Sequence, residues 1–103
     1  MSKIDKVIHQ PVRLRIMASL TALEPGEELN FTTLRDLLEV TDGNLGAHIQ
    51  KLEEAGYIKV KKAFVMRKPC TFVTMTPKGQ VAFEEHVQAL EKIIHGKAKR
   101  KKP

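Results

Sequence analysis

The segment from Thr41 to Glu54 holds the side chains with the most evident chemistry. Apolar residues recur three or four positions apart at Leu45, Ile49 and Leu52, and polar or very small residues stand between them. On a helix, this spacing buries one face and leaves small and polar groups on the other. Amide, imidazole and ammonium groups can bond base edges or phosphate oxygens, and small residues let the backbone approach. The candidate nucleic-acid contacts are Thr41, Gly43, Asn44, Ala47, His48, Gln50 and Lys51.

A second candidate group is cationic. Residues 55–83 include no acid and six Lys or Arg, whereas residues 24–54 include eight acids and two bases. A charge run is most often a solvated face, but so long an acid-free stretch favours a surface that meets a polyanion. The net charge of +6 says less, because five of these charges lie in residues 97–103. The predicted contacts here are Lys62, Arg67 and Lys68, with Thr32 and Thr33 toward a nucleic-acid backbone.

The periodicities predict the elements that must position these groups. Their order is helix, helix, turn, helix, strand, basic loop, strand and helix, and the short stretch 27–31 could hold a brief strand before the second helix. We expect Thr32, Thr41 and Thr76 to cap the last three helices. We expect Leu34, Leu37 and Leu38 to point inward from the second. The predicted ranges are about 12–23 for the first helix, 27–31 for the brief strand, 42–55 for the third helix, 66–69 for the basic loop and 77–95 for the last helix.

Two helices joined by a tight turn and followed by a hairpin are the parts of a winged helix-turn-helix. We therefore predict an α+β, mostly helical fold with a two-stranded β-hairpin wing and a long C-terminal dimerisation helix. Residues 1–96 form one domain in this interpretation, and residues 97–103 form a basic, disordered tail.

Three segments resemble small prokaryotic winged-helix transcriptional regulators, between the MarR-like and ArsR-like groups. They are the recognition-helix segment 41–58, the opening helix segment 9–17 and the joint 74–79. The resemblance covers about residues 4–95. It implies a homodimer that binds double-stranded operator DNA, with the third helix in the major groove and the wing on the minor groove or backbone. The lone Cys70 fits a reducing cytosol, so we expect a cytoplasmic protein. Gly46 departs from the family, which often has Ser there, so one hydroxyl contact to DNA is in doubt.

The last helix carries a candidate dimer seam. Phe83, Val87, Leu90 and Ile94 are spaced four, three and four apart, which suits helix pairing. In the alternative, the same seam packs against the first helix of its own chain. The resemblance favours the dimer.

Other functions find less support. No phosphate-binding glycine loop or nucleophile beside a base is present, so we predict neither an enzyme nor a cofactor. His86 and His95 fall on opposite faces of one helix, and we predict no metal site. Cys70 is more plausible as a small packing residue than as a nucleophile. No segment is apolar enough to span a membrane, and an effector stays unknown. The serious alternative is a winged-helix protein-interaction or RNA-binding module.

Overall fold

The structure is a computed structural model that describes residues 4–24 and 27–100, with side chains as far as Gly96. It has the predicted order of elements, and the α+β winged-helix prediction is confirmed. The elements are α1 (Pro11–Thr21), β1 (Leu29–Asn30), α2 (Phe31–Leu38), α3 (Asp42–Glu54), β2 (Ile58–Val65), β3 (Lys68–Met75) and α4 (Pro77–Arg100).

The sheet has three strands in the order β1-β3-β2, all antiparallel. The predicted two-stranded hairpin wing, β2 with β3, is confirmed, and β1 adds a third strand at its base by pairing Leu29 with Val73 and Asn30 with Phe72. This short strand covers the edge of β3 that would otherwise be open near the core. Beyond Phe72, the hairpin continues toward its tip as two strands only.

The hairpin turn is shorter than predicted. The β2–β3 ladder runs on to the pair Val65 and Lys68, so Met66 and Arg67 alone make the turn. The predicted basic loop 66–69 is thus wrong at its end, since Lys68 and Pro69 belong to β3. Pro69 lies beyond the end of β1, where β3 has one free edge and a strand tolerates a residue without an N–H.

The start of α2 differs from the prediction. Asn30, not Thr32, is its N-cap, and the Asn30 side-chain oxygen accepts from the backbone N–H of Thr32 at 2.8 Å and of Thr33 at 3.3 Å. An asparagine is as good a cap as threonine and here precedes it in the chain. Leu34 and Leu38 are buried, but Leu37 is exposed. The second helix therefore has a narrower buried face than its leucines suggest.

The other two predicted caps are confirmed. The Thr41 hydroxyl accepts from the N–H of Asn44 at 3.1 Å, and the Thr76 hydroxyl accepts from the N–H of Gly79 at 2.9 Å. Between α3 and β2, Gly56 has a φ of 81°, the left-handed conformation expected after a helix end. These local signals set where α3 and α4 begin and where the hairpin leaves α3.

The end of α4 was predicted near residue 95, but the helix continues to Arg100. Gly96 therefore lies inside the helix, which includes the backbone of residues 97–100. Lys and Arg are good helix formers, and one glycine costs only about 1 kcal/mol. The remaining tail residues, 101–103, lie outside the described part.

The core fills the space between the first three helices, the base of the hairpin and the first turns of α4. It is mainly aliphatic, as the composition predicts, and Phe83 is its one fully packed aromatic residue among those described. The tip of the hairpin and the end of α4 extend beyond this core, which gives overall dimensions of 63 × 25 × 23 Å. The core members are Ile8, Ile16, Met17, Leu20, Leu34, Leu38, Leu45, Ile49, Leu52, Ile58, Val73 and Phe83.

Candidate nucleic-acid interface

One face of α3 is fixed in the core and the other faces solvent. Leu45 and Leu52 are fully buried and Ile49 nearly so, which confirms the predicted stripe. Glu39 adopts the left-handed conformation at the end of α2, and only three residues separate the two helices. The exposed residues of the predicted contact set are Thr41, Gly43, Asn44, Ala47, Gln50 and Lys51, and His48 is half-buried.

Gly43 stands in open space near the start of α3. A Cβ atom built on Gly43 would have no heavy atom within 4 Å, so packing inside the chain does not require glycine there. Glycine in a helix costs roughly 0.5–1 kcal/mol relative to alanine. Glycine at position 43 therefore lowers the stability of α3, and no packing within the described chain compensates for that loss. Without a side chain there, another molecule can approach the helix backbone closely.

His48 is held by Arg13, a contact that sequence reasoning did not find. The Arg13 guanidinium donates to Nδ1 of His48 at 3.1 Å. Since arginine has no acceptor, Nδ1 must be the bare nitrogen and Nε2 must carry the proton. Burial, and next the positive charge of Arg13, lower the pKa of His48. His48 is thus a neutral side chain on α3 whose Nε2–H is a hydrogen-bond donor.

Arg35 is the second residue that sequence reasoning missed. Its guanidinium contacts Asp42 in the first turn of α3 at 2.8 Å and Asp36 in α2 at 3.0 Å. These two hydrogen bonds raise the pKa of Arg35, with Asp42 the larger cause. The pairing ties the two helices together and offsets a negative charge that would repel phosphates at the start of α3.

A groove of about 420 Å³ lies between α3 and the hairpin. Gly46 and Gln50 line it from α3, and Lys62 and Thr71 line it from the two strands. The Gln50 amide donates to Glu54 at 3.1 Å, which leaves its carbonyl oxygen and its second N–H for other partners. The fold therefore brings the polar face of α3 and a lysine of the hairpin to one surface.

The cations of the hairpin differ in their availability. The Lys61 Nζ atom forms an ion pair with the Glu28 carboxylate at 3.0 Å and lies 5.9 Å from the centroid of the Phe72 ring. The three predicted contacts are exposed, and none of them forms an ion pair with another residue of the described part. These three are Lys62, Arg67 and Lys68.

The hairpin turn is strained. Met66 and Arg67 have φ values of 52° and 67°, so both central residues adopt the left-handed conformation. Two-residue turns of this kind prefer Asn-Gly, and a residue with a side chain costs roughly 1–2 kcal/mol there. Such strain persists where the surrounding structure or a function maintains it.

Thr32 and Thr33 lie in the first turn of α2, and both are exposed. Their backbone N–H groups bond Asn30, so their hydroxyls are the groups left for a backbone contact. Both stay predicted contacts.

Residues 12–94 match a protein family described as Winged helix DNA-binding domain. The matched span runs from α1 through most of α4 and includes all of α3 and the hairpin. The chain belongs to this family. The family is one of DNA-binding domains, not of enzymes.

Relatives of this winged helix domain agree with that assignment. The uncharacterized protein MJ0432 of Methanocaldococcus jannaschii is 39% identical over 82 residues, which make up 80% of this chain and 86% of that protein. A solved transcriptional regulator homologue from Pyrococcus horikoshii OT3 is 33% identical, with a TM-score of 0.78 and 87% and 86% of the two chains covered. A MarR protein from Peptoclostridium difficile shares the fold at 19% identity, with a TM-score of 0.65 over 85% of this chain and 54% of that one. The resemblance to small winged-helix transcriptional regulators is confirmed, and the likeness to the MarR protein is one of fold.

The predicted dimer seam of the winged helix domain needs one correction. Phe83 is only 9% exposed and packs within the chain's own core, which Val87 borders. The alternative packing against the same chain therefore applies to the first turns of α4. Leu90 is half-buried and Ile94 is exposed, as is Ile93 beside it. The stripe that the domain buries at the start of α4 thus continues along the helix and becomes exposed at Ile93 and Ile94.

A partly buried polar cluster joins the N-terminal segment of the winged helix domain to α4. The Tyr57 hydroxyl donates to the Asp5 carboxylate at 2.5 Å, and the Asp5 backbone N–H donates to Nδ1 of His86 at 3.0 Å. His86 is fully buried, and its Nε2 has no partner in the described part. Burial and the neighbouring ring of His9, 5.4 Å away, lower the pKa of His86, against a smaller opposing effect of Asp5.

We expect Tyr57 to titrate well above an ordinary tyrosine. Burial, followed by the hydrogen bond to Asp5, raises the pKa of Tyr57 to about 12. Because the folded pKa exceeds the unfolded value near 10, this contribution to stability is complete below pH 10 and is lost as the pH rises toward 12. The chain has one Tyr and no Trp, so phenolate absorbance reports Tyr57 alone. Asp5→Asn should lower the pKa, and titration of the folded parent near pH 10 would contradict the cluster.

No described helix is both long and apolar enough to cross a bilayer. Within residues 4–24 and 27–96, no three His, Cys, Asp or Glu side chains come together as metal ligands. Cys70 is half-buried on the hairpin, opposite Ala63.

Proposed function

We propose that this winged helix domain is a sequence-specific regulator of transcription that binds double-stranded DNA as a homodimer. In this proposal, α3 lies in the major groove and the hairpin contacts the minor groove or the phosphate backbone. One observation carries it: a helix anchored by three buried aliphatic residues presents small and polar groups beside an acid-free cationic hairpin. The regulatory role is supported by the solved relative from Pyrococcus horikoshii, which is described as a transcriptional regulator homologue.

The groups on α3 suit the reading of base edges. Asn44 and Gln50 have side-chain amides, which match the donor and acceptor pattern of adenine in the major groove. His48 contributes a fixed donor through Nε2, which suits an acceptor such as guanine O6 or N7 or a phosphate oxygen. Thr41 and Lys51 stand at the two ends of the same face and suit phosphates.

The dimer rests on the exposed part of the α4 stripe. A helix from Pro77 to Arg100 is about 36 Å long at 1.5 Å per residue, and the core covers only its first half. A second copy packed on Leu90, Ile93 and Ile94 would bury the stripe and relate two α3 helices by a two-fold axis. DNA half-sites would then repeat about one helical turn apart.

Two glycines of the chain provide a matched test of where DNA lies. Gly43 in α3 and Gly96 in α4 are both helical, and a Cβ on either would meet no atom within 4 Å. Both Gly43→Leu and Gly96→Leu should therefore fold. We expect Gly43→Leu to weaken duplex binding about tenfold or more, since one lost base contact is worth roughly 1–3 kcal/mol, and Gly96→Leu to change binding little.

The measurement is fluorescence anisotropy of a labelled duplex at several salt concentrations. Parent affinity should fall steeply as salt rises, because phosphate contacts release counterions. Equal duplex affinities for the two leucine variants would contradict the proposed contact between α3 and DNA. Tighter binding to single-stranded or duplex RNA than to duplex DNA would favour an RNA-binding module, and no salt-dependent nucleic-acid binding would favour a protein-interaction module.

A further inference from the structure

The tip of the hairpin carries the most exposed apolar side chains described in the chain. Met66 is 90% exposed and Phe64 is 77% exposed, with Val65 between them and Pro69 opposite Phe64 in the ladder. We refer to Phe64, Val65, Met66 and Pro69 as the apolar tip. Contiguous apolar groups at a projecting point of a water-exposed surface commonly mark a contact with another molecule.

The same turn is strained, and its strain has no explanation within the described chain. Left-handed backbone at Met66 and Arg67 would be relieved by the Asn-Gly pair that such turns prefer. The chain keeps a long apolar side chain and a long cationic one at these two positions instead. We infer that both side chains are needed at the end of the hairpin.

The tip has the reach to enter a groove of DNA. Strand β1 ends at the pair Asn30 and Phe72, and four further β2–β3 pairs follow before the turn. Four residues of strand span about 13 Å. The minor groove of B-form DNA is about 7.5 Å deep and about 6 Å wide, so the two-residue turn at the end of this ribbon can bring the Met66 side chain to its floor.

The charges around the apolar tip indicate which kind of molecule it contacts. Arg67 and Lys68 adjoin it, Lys62 lies further down the same hairpin, and residues 55–83 contain no acid. A second copy docked tip to tip would bring like charges together, which disfavours self-association through this surface. A polyanion with an apolar interior satisfies both features, and the stacked bases between the phosphates of a DNA duplex provide one.

We propose that Met66, backed by Phe64, enters the minor groove as an apolar wedge that partly unstacks one base step and bends the duplex, while Arg67 and Lys68 hold the adjoining phosphates. The proposal rests on duplex DNA being the ligand of the domain. Proteins that insert apolar side chains in this way bend DNA toward the major groove. Flexible pyrimidine–purine steps such as TA and CA unstack most easily, so the wedge adds a preference at a position that no side chain reads by hydrogen bonding.

The test uses duplexes selected by the parent protein from a random pool. The probes carry a donor and an acceptor dye at their ends, to report bending by energy transfer, or 2-aminopurine at the step expected to face the hairpin, to report unstacking. We expect the parent to bring the ends together and to increase the 2-aminopurine fluorescence. Replacing the flexible step by a stiff A-tract should reduce both signals and the affinity.

Two substitutions at one position separate the wedge from the turn. Met66→Asn suits the left-handed backbone and keeps the fold, but removes the apolar group. Met66→Leu keeps the apolar group and the strain. We expect Met66→Asn to abolish the unstacking signal and to weaken binding to the flexible-step duplex about tenfold, with Met66→Leu close to the parent. Val81→Asn, an exposed apolar site on α4, is the control and should change neither signal.

The possible failures are distinguishable. Parent binding without bending or unstacking would overturn the wedge and leave the proposed function intact, as would equal signals from Met66→Asn and the parent. A Met66→Asn variant that alters the sedimentation of the DNA-free protein, with unchanged bending, would assign the tip to contacts between copies and also overturn the wedge. Failure of the parent to bind any duplex would overturn both proposals.

Discussion

Replacing Ile93 and Ile94 together by glutamate is expected to split the proposed homodimer and to abolish tight DNA binding. The two side chains are 66% and 67% exposed, so their replacement removes little core packing and the monomer should fold. In the proposed dimer, both would be buried against a second α4, where four added carboxylates would be desolvated without partners.

The expected loss of DNA affinity is large because the monomer can bind only one half-site at a time. A dimer that spans two half-sites gains about 10²- to 10⁴-fold over one domain, and the monomer loses that gain. Sedimentation should show the mass falling from twice 11.6 kDa to 11.6 kDa, while circular dichroism stays near that of the parent.

A control on the opposite face of α4 makes this result specific. Lys92 and His95 are exposed and lie away from the stripe, so the double variant with glutamate at both positions adds comparable negative charge outside the proposed contact. It should remain a dimer. An unchanged mass for the Ile93 and Ile94 variant would reject the α4 interface.

Gly79→Ala is expected to be the most destabilising alanine substitution among the described glycines. A Cβ on Gly79 would lie 2.1 Å from the carbonyl oxygen and 2.8 Å from the carbonyl carbon of Tyr57. The obstacle is backbone, which cannot rotate away. The same carbonyl accepts from the N–H of Thr76 at 3.0 Å, and the Thr76 hydroxyl donates to the carbonyl of Gly56 at 2.6 Å.

The added methyl must therefore separate α4 from the loop between α3 and β2. Overpacking of a rigid site costs typically 1–3 kcal/mol and occasionally more, and the loss of the two hydrogen bonds places Gly79→Ala at about 3 kcal/mol or above. Urea unfolding at one fixed protein concentration is the measurement, since the proposed dimerisation would make the apparent stability depend on concentration.

Gly96→Ala is the matched control for this substitution. It lies in the same helix with open space around it, and should raise stability by roughly 0.5–1 kcal/mol through helix propensity. If Gly79→Ala changed the free energy of unfolding no more than Gly96→Ala does, the close approach of α4 to Tyr57 would be refuted.

The sequence predicts the parts of the fold that depend on near neighbours. The stripe Leu45, Ile49 and Leu52 follows from helical period, and the caps Thr41 and Thr76 act on N–H groups three residues away. The exposed face of α3 follows from the same period. These features require no knowledge of the rest of the chain.

The features that sequence reasoning missed depend on distant residues or on competition between signals. Arg13 and His48 are 35 positions apart and meet only because α1 packs on α3. Asn30 and Thr32 are both favoured N-cap residues and lie two positions apart, so the sequence alone does not show that Asn30 is the cap of α2. The end of α4 was misplaced because the helix propensity of the residues that follow outweighs one glycine at Gly96.

The dimer seam was only partly predictable for a related reason. A four-three spacing shows that a helix has an apolar face, but not which neighbour covers each part of it. The first part of that face, at Phe83, meets the chain's own core, and the later part, at Ile94, is mostly exposed. The face changes from buried to exposed where α4 extends beyond the core, and the length of the helix relative to the core sets that position.

Selection of bound fragments from random duplex DNA is the most direct measurement of the central proposal. The purified full chain should enrich one sequence, arranged as two inverted half-sites whose centres are about 10 base pairs apart, with affinity that falls as salt rises. A pool that stays random after repeated rounds, or retention that does not depend on salt, would contradict a dimeric reader of operator DNA.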